Sequence, residues 1–175
     1  TVDALAIKFV DRIGHRKIAV IAHALAAIGM VGLALLPNFL PYPFIGLLIS
    51  CFVYAVGGGL IEVLISPIVE SLPGEAKASS MSLLHSFYSW GQVLVIVLST
   101  MALKLVGNNS WHWLPLAWAV LPAVNMFNFA RVPLVPPLEE SQRTPLKKLL
   151  TSNLFLLAFL LMVCSGAAEQ AMAQW

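Results

Sequence analysis

The stretch "YAVGGGLIEVLISPIVESLPGEAKASSMSLLHSFYSWGQ", residues 54–92, decides which solvent this chain folds in. Glu62 follows three consecutive glycines and is flanked by Leu60, Ile61, Val63, Leu64 and Ile65. Further on, Ser82, His85, Ser86, Ser89 and Gln92 fall at i, i+3, i+4, i+7 and i+10, the spacing of one helical face. Phe87, Trp90, Val93 and Leu94 occupy the other sides. In hydrocarbon an ionisable residue is costly, and it persists where it has a function or a partner.

Composition identifies the solvent. The 175-residue chain is 59% hydrophobic and 10% charged, with a mean hydropathy of +0.88, whereas a soluble domain is about 25% charged. A bilayer core of about 30 Å needs roughly 20 apolar helical residues. Stretches free of Asp, Glu, Lys and Arg at Ile18 to Leu36, Phe44 to Ile61, Met81 to Leu103, Trp111 to Ala130 and Leu149 to Ala168 supply the spans of an all-α membrane protein. Expected helices lie at about 18–37, 43–70, 79–105 and 111–131, and a further one lies within 151–175.

The bases alternate with the spans. Lys8, Arg12, Arg16 and Lys17 precede the first, Lys77 separates the second and third, and Arg131, Arg143, Lys147 and Lys148 separate the fourth and fifth. The remaining loops, "PNFLPYP" and "KLVGNNSWHW", hold only Lys104. The positive-inside rule then makes the basic loops cytoplasmic. A net charge of +2 gives no sign of a nucleic-acid partner. Cys51 and Cys164 fall within apolar spans and read as small core residues, not as a disulfide or metal pair. The spacing points to no metal site and no cofactor.

Gly29 and Gly32 in the first span predict close helix packing. The prolines of "LPNFLPYP" end one helix and begin the next. Gly57 to Gly59 and Pro67 should let the second span bend or unwind locally. Asn125 and Asn128 read as interhelical hydrogen-bonders, and Trp111, His112 and Trp113 as an interfacial belt. The stretch "VPPLEESQRTPLKK", residues 135–148, is the one long polar connection, which suggests a bundle of residues 1–132, a cytoplasmic linker at 133–150 and the first helix of a second bundle at 151–175.

Three groups of residues carry chemistry. Glu62 must be protonated, paired or hydrated, and exclusion from water favours the neutral form of a carboxyl group, so it is a candidate proton carrier. The stripe of Ser82, His85, Ser86, Ser89 and Gln92 must face protein or a water-filled cavity, although serines alone also bond back to their own helix. Glu169, Gln170 and Gln174 form a second polar cluster, either cavity-lining or interfacial, with Trp90 and Trp175 as possible stacking faces. His85 and Ser86 are adjacent in sequence, so on a helix they do not face each other, and no nucleophile with a base points to an enzyme.

The motif "DRIGHRK", Asp11 to Lys17, resembles the loop between helices 2 and 3 of the major facilitator superfamily, with Ile7 in place of a leading Gly and His15 in place of a common Arg. The order of a Gly-rich helix with Glu62, then Pro67, "PGE" and "SLLHSFYSWG" is similar to helices 4 and 5 of its fucose permease branch of sugar:proton symporters. It departs at Ser66, where that branch commonly has Asn, and at Ser82, His85 and Tyr88, where it more often has amides. The resemblance implies a major facilitator helical bundle, here a fragment covering the end of helix 2 through helix 7. It also implies a cytoplasmic latch at Asp11, Arg12, Gly14 and Arg16, and a role for Glu62 in handling proton and substrate. The expected protein is a multi-pass carrier, in the plasma membrane, performing proton-coupled symport of a sugar or similar polar solute by alternating access. Its proton and substrate site would comprise Glu62, His85, Tyr88, Ser89, Gln92, Glu169 and Gln170. Its partners would be the solute, protons, lipid and the remaining helices of the full-length chain. An exporter of amphipathic compounds and a non-transporting membrane sensor are the alternatives.

Overall fold

The computed structural model describes residues 13–72, 74, 76–134, 148 and 150–173, with no side-chain description at 169, 170, 172 and 173. The elements are α1 (His15–Phe39), α2 (Pro43–Ser71), α3 (Lys77–Val106), a 3₁₀ turn (Asn108–Ser110), α4 (Trp113–Arg131) and α5 (Asn153–Ala173). Among the described residues, four stretches are long and apolar enough to cross a membrane: His15–Phe39, Pro43–Ser71, Lys77–Val106 and Asn108–Arg131. A shorter apolar helical stretch runs over Asn153–Ala168. The chain divides into two compact units, Thr1–Pro137 and Leu138–Trp175, and α5 belongs to the second.

The first unit is organised by the contact of α1 with α2. Ala22, Ala26, Gly29 and Gly32 of α1 are buried, as are Gly46, Ser50 and Gly57 of α2. A Cβ added at Gly29 would lie 2.5 Å from the Tyr54 backbone nitrogen, and one at Gly57 would lie 2.6 Å from that of Ala26. One at Gly46 would meet the Leu36 carbonyl carbon at 2.8 Å. The backbones therefore touch at three levels along the pair, which side chains of any size would prevent. At the basic end of the pair Ile18 and Ala19 pack with Leu64 and Ile68, and Leu60, Val63, Phe129 and Leu134 close over them.

Gly57 thus acts in packing. Helix α2 runs unbroken through Gly57–Gly59 and through Pro67, and the expected local unwinding is absent. The backbone of α1 fills the space that the missing Cβ leaves, so the weakest helix former sits where tertiary contact replaces intrinsic propensity. Helix α1 likewise runs past Pro37 to Phe39, since a proline in the last turn disturbs little of the helix beyond it, and Pro43 opens α2 at its first position.

Helix α4 joins the pair through aromatic contact. The His23 Nδ1–H donates to the Ala19 carbonyl at 2.8 Å within its own helix, and the ring lies 4.9 Å from that of Phe129. Helix α3 is tied to α4 by the Trp118 Nε1–H, which donates to Ser99 Oγ at 2.9 Å. No residue of α3 is buried among those described. Asn125 and Asn128 are exposed and their side chains make no hydrogen bond among the described residues, contrary to the expected interhelical role. Cys51 and Cys164 are free and exposed, so neither is a core residue of its own unit.

Replacing Gly29 or Gly57 by Val should therefore separate α1 from α2, at a cost of about 1–3 kcal/mol or more. Gly58→Ala places its Cβ in open space. Thermal melts of the detergent-solubilised protein should show a clear loss for either valine variant and none for Gly58→Ala.

Candidate functional site

Glu62 lies five residues beyond Gly57, which turns it about 140° around α2 and away from the α1 contact. It is exposed and has no hydrogen-bond or ion-pair partner among the described residues. One turn earlier on the same face, Gly58 leaves open space beside it, and one turn later comes Ser66. The unpacked face of α2 therefore presents small residues around one carboxyl group. That arrangement leaves open space beside the carboxyl group, and the described residues supply no counter-ion.

On α3 the stripe separates into two chemistries. The Ser86 hydroxyl donates to the Ser82 carbonyl at 2.9 Å, and the Ser89 hydroxyl to the His85 carbonyl at 3.4 Å. These are the back-bonds to the preceding turn that serines in membrane helices make, so their protons are already used. His85 and Gln92 are exposed, and their side chains are free among the described residues. Tyr88 is exposed as well, at 70%. His85 and Gln92 keep their full donor and acceptor capacity for a ligand.

Helix α3 follows α2 directly in the first unit, yet no hydrogen bond or ion pair joins Glu62 to the α3 residues. Glu169 and Gln170 lie on α5 in the second unit, with side chains outside the described residues, as are Gln174 and Trp175. Among the described residues, Glu62 on α2 and His85, Tyr88 and Gln92 on α3 are thus exposed on separate helices.

The described part of the basic loop shows a contact that the motif reading alone did not supply. Asp11 and Arg12 lie outside the described residues. Gly14 has a φ of 91°, a backbone conformation suited to glycine, and caps α1 without a side-chain hydrogen bond. Arg16 Nε and Nη2 donate to the Val132 carbonyl at 3.2 and 2.9 Å. The guanidinium thereby satisfies a carbonyl just past the end of α4, a group that the helix cannot satisfy itself.

A cavity of about 420 Å³ also lies among α1 to α4, with Met30, Leu33, Tyr54, Val95, Trp118 and Leu121 in its wall. None of the candidate polar residues lines it. It is an apolar space.

The chain matches the family model described as Major Facilitator Superfamily over residues 4–175. It belongs to that superfamily. No curated protein and no solved structure matches it. As a major facilitator chain it is an integral, multi-pass membrane protein whose class of activity is solute transport, and the helices above belong to an all-α carrier.

If the uncovered faces of α2 and α3 line a wet cavity, cysteines placed there will react with a hydrophilic thiol reagent. With Cys51 and Cys164 replaced by Ser, Glu62→Cys, His85→Cys and Gln92→Cys should label from the aqueous phase at least about tenfold faster than Phe87→Cys on the opposite face, since the thiolate needs water to form. Labelling rates in intact membranes check this, and equal rates at all four positions would remove the cavity assignment.

Proposed function

We propose that this major facilitator chain is part of a proton-coupled symporter for a sugar or a similar polyhydroxylated solute. The observation that carries the reading is Glu62, a carboxyl group without a counter-ion among the described residues, on the small-residue face of an otherwise apolar membrane-length helix. Such a residue is costly in hydrocarbon, by about 2.5 kcal/mol or more when ionised, and a proton or a ligand offsets that cost. The likeness of the Glu62, Pro67 and "SLLHSFYSWG" order to the fucose permease branch supports the same solute class.

The mechanism follows from the change in hydrogen-bonding capacity on protonation. A neutral Glu62 donates one hydrogen bond and accepts others, whereas the carboxylate only accepts. A hydroxyl-rich solute held between Glu62 and the amide of Gln92, with His85 and Tyr88 nearby on α3 and Ser89 as acceptor only, therefore binds the two protonation states with different affinity. That difference is the coupling free energy, and it is reciprocal between proton and solute. Glu169 and Gln170 would contribute from the second bundle, and rocking of the two bundles about a midplane site would alternate access. The latch reading of Asp11, Arg12, Gly14 and Arg16 and a plasma-membrane location belong to the same proposal.

The apolar cavity favours a second reading, export of amphipathic compounds, whose partition into such a space needs no polar partner. Uptake of labelled sugars into proteoliposomes of the full-length protein, with and without an inward proton gradient, separates the two. Wild type should accumulate a sugar only with the gradient. Glu62→Gln should still exchange sugar but lose accumulation by at least about tenfold, equivalent to about 1.4 kcal/mol of coupling. Gradient-dependent movement of amphipathic dyes with no sugar transport would replace the symporter by the exporter.

A further inference from the structure

Glycine inside a helix of this protein is used for packing at several positions. Gly29, Gly32, Gly46 and Gly57 have an atom of another residue at 2.5, 2.7, 2.8 and 2.6 Å from where a Cβ would stand. Gly58 differs from all of these. It lies within the unbroken helix α2, its φ is not positive, and an added Cβ would meet nothing within 4 Å among the described residues. Glycine is the weakest helix former after proline, so a mid-helix glycine that serves neither a turn nor a helix contact needs another use. Close approach of a ligand to the backbone is one.

The position of Gly58 identifies the ligand. It stands one helical turn before Glu62, so the two residues share a face and its surroundings. Ala55, three residues before Gly58, and Ser66, one turn after Glu62, keep that face free of large side chains. One turn of helix rises about 5.4 Å, comparable to the span of a six-membered sugar ring. A solute whose hydroxyl bonds to Glu62 therefore sets its far carbons over Gly58.

We propose that Gly58 determines the specificity of the solute site: its bare backbone admits the exocyclic carbon of a hexose, which a side chain here would exclude. A pentose lacks that carbon and fits beside a larger residue. The inference rests on the symporter reading and assigns the selectivity of that same site.

Two measurements on the full-length protein test it, and the first needs no transport. With the native cysteines replaced by Ser, Gly58→Cys should react with a hydrophilic thiol reagent in intact membranes at least about tenfold faster than Phe87→Cys, since the thiolate needs water to form. A rate no greater than that of Phe87→Cys would set Gly58 against lipid or another helix and overturn the proposal. The second is uptake into proteoliposomes of matched pairs that differ by one exocyclic carbon: D-glucose with D-xylose, D-galactose with L-arabinose, and L-fucose with D-arabinose. Gly58→Ala should lower the ratio of hexose to pentose kcat/KM by about tenfold and Gly58→Val by about a hundredfold, the range that a methylene or two commands in a shaped pocket. Gly58→Ala should keep the wild-type thermal melt, so the altered ratio is not a loss of folding. If wild type carries a sugar and both variants leave the ratio unchanged, this assignment fails and the symporter reading stands. If wild type carries no sugar, the symporter reading fails and this assignment with it.

Discussion

The structure of the first unit depends on the contact of one backbone with another. Gly29 against Tyr54, Gly57 against Ala26 and Gly46 against Leu36 bring α1 and α2 closer than any side chain would permit. In a bilayer no hydrophobic force distinguishes helix contact from lipid contact, so shape complementarity must provide the preference. A single interhelical hydrogen bond such as Trp118 to Ser99 is worth on average about 0.6 kcal/mol in membranes. A misplaced side chain in a packed contact costs about 1–3 kcal/mol. Fit therefore outweighs polar pairing here, and α3, which has a polar tie but no buried residue, is held more lightly than α2.

That hierarchy sets where Glu62 stands. Because α2 spends its glycine and serine face on α1, the opposite face is left to carry Glu62, Gly58 and Ser66. The carboxyl group is thus carried by the most firmly packed pair in the unit, while the polar stripe of Ser82, His85, Ser89 and Gln92 stands on the more lightly held α3.

Legibility in the sequence followed the range of the forces involved. The spans were legible because a bilayer forces every buried backbone group to pair within its own helix and sets the length of each apolar run. Gly29 and Gly32 signalled close packing correctly, since small residues have no other use at those spacings. Gly57 was misread as a point of weakness because its partner, Ala26, is about thirty residues away and no periodicity within α2 encodes it. The same reason hid the Phe129 contact of His23 and the Val132 contact of Arg16. Asn125 and Asn128 failed in the opposite direction, as polar residues whose expected helical partners are not among the described neighbours. In the candidate site, the separate faces of α2 and α3 could be read from spacing alone, but the use of the Ser86 and Ser89 hydroxyls in back-bonds could not.

The Arg16 contact joins the start of α1 to the end of α4. The motif "DRIGHRK" supplies a cation at the start of α1, and the structure directs that cation to the point where α4 gives way to the polar connection beginning near residue 135. A helix end with free carbonyls attracts positive charge, and a guanidinium with donors in a fixed fork satisfies such a carbonyl with directional bonds that an ammonium does not match. Leu134, two residues beyond Val132, packs with Phe129 over Ile18, Ala19, Leu64 and Ile68, so the end of α4 is held to α1 and α2 by apolar contact as well as by the guanidinium.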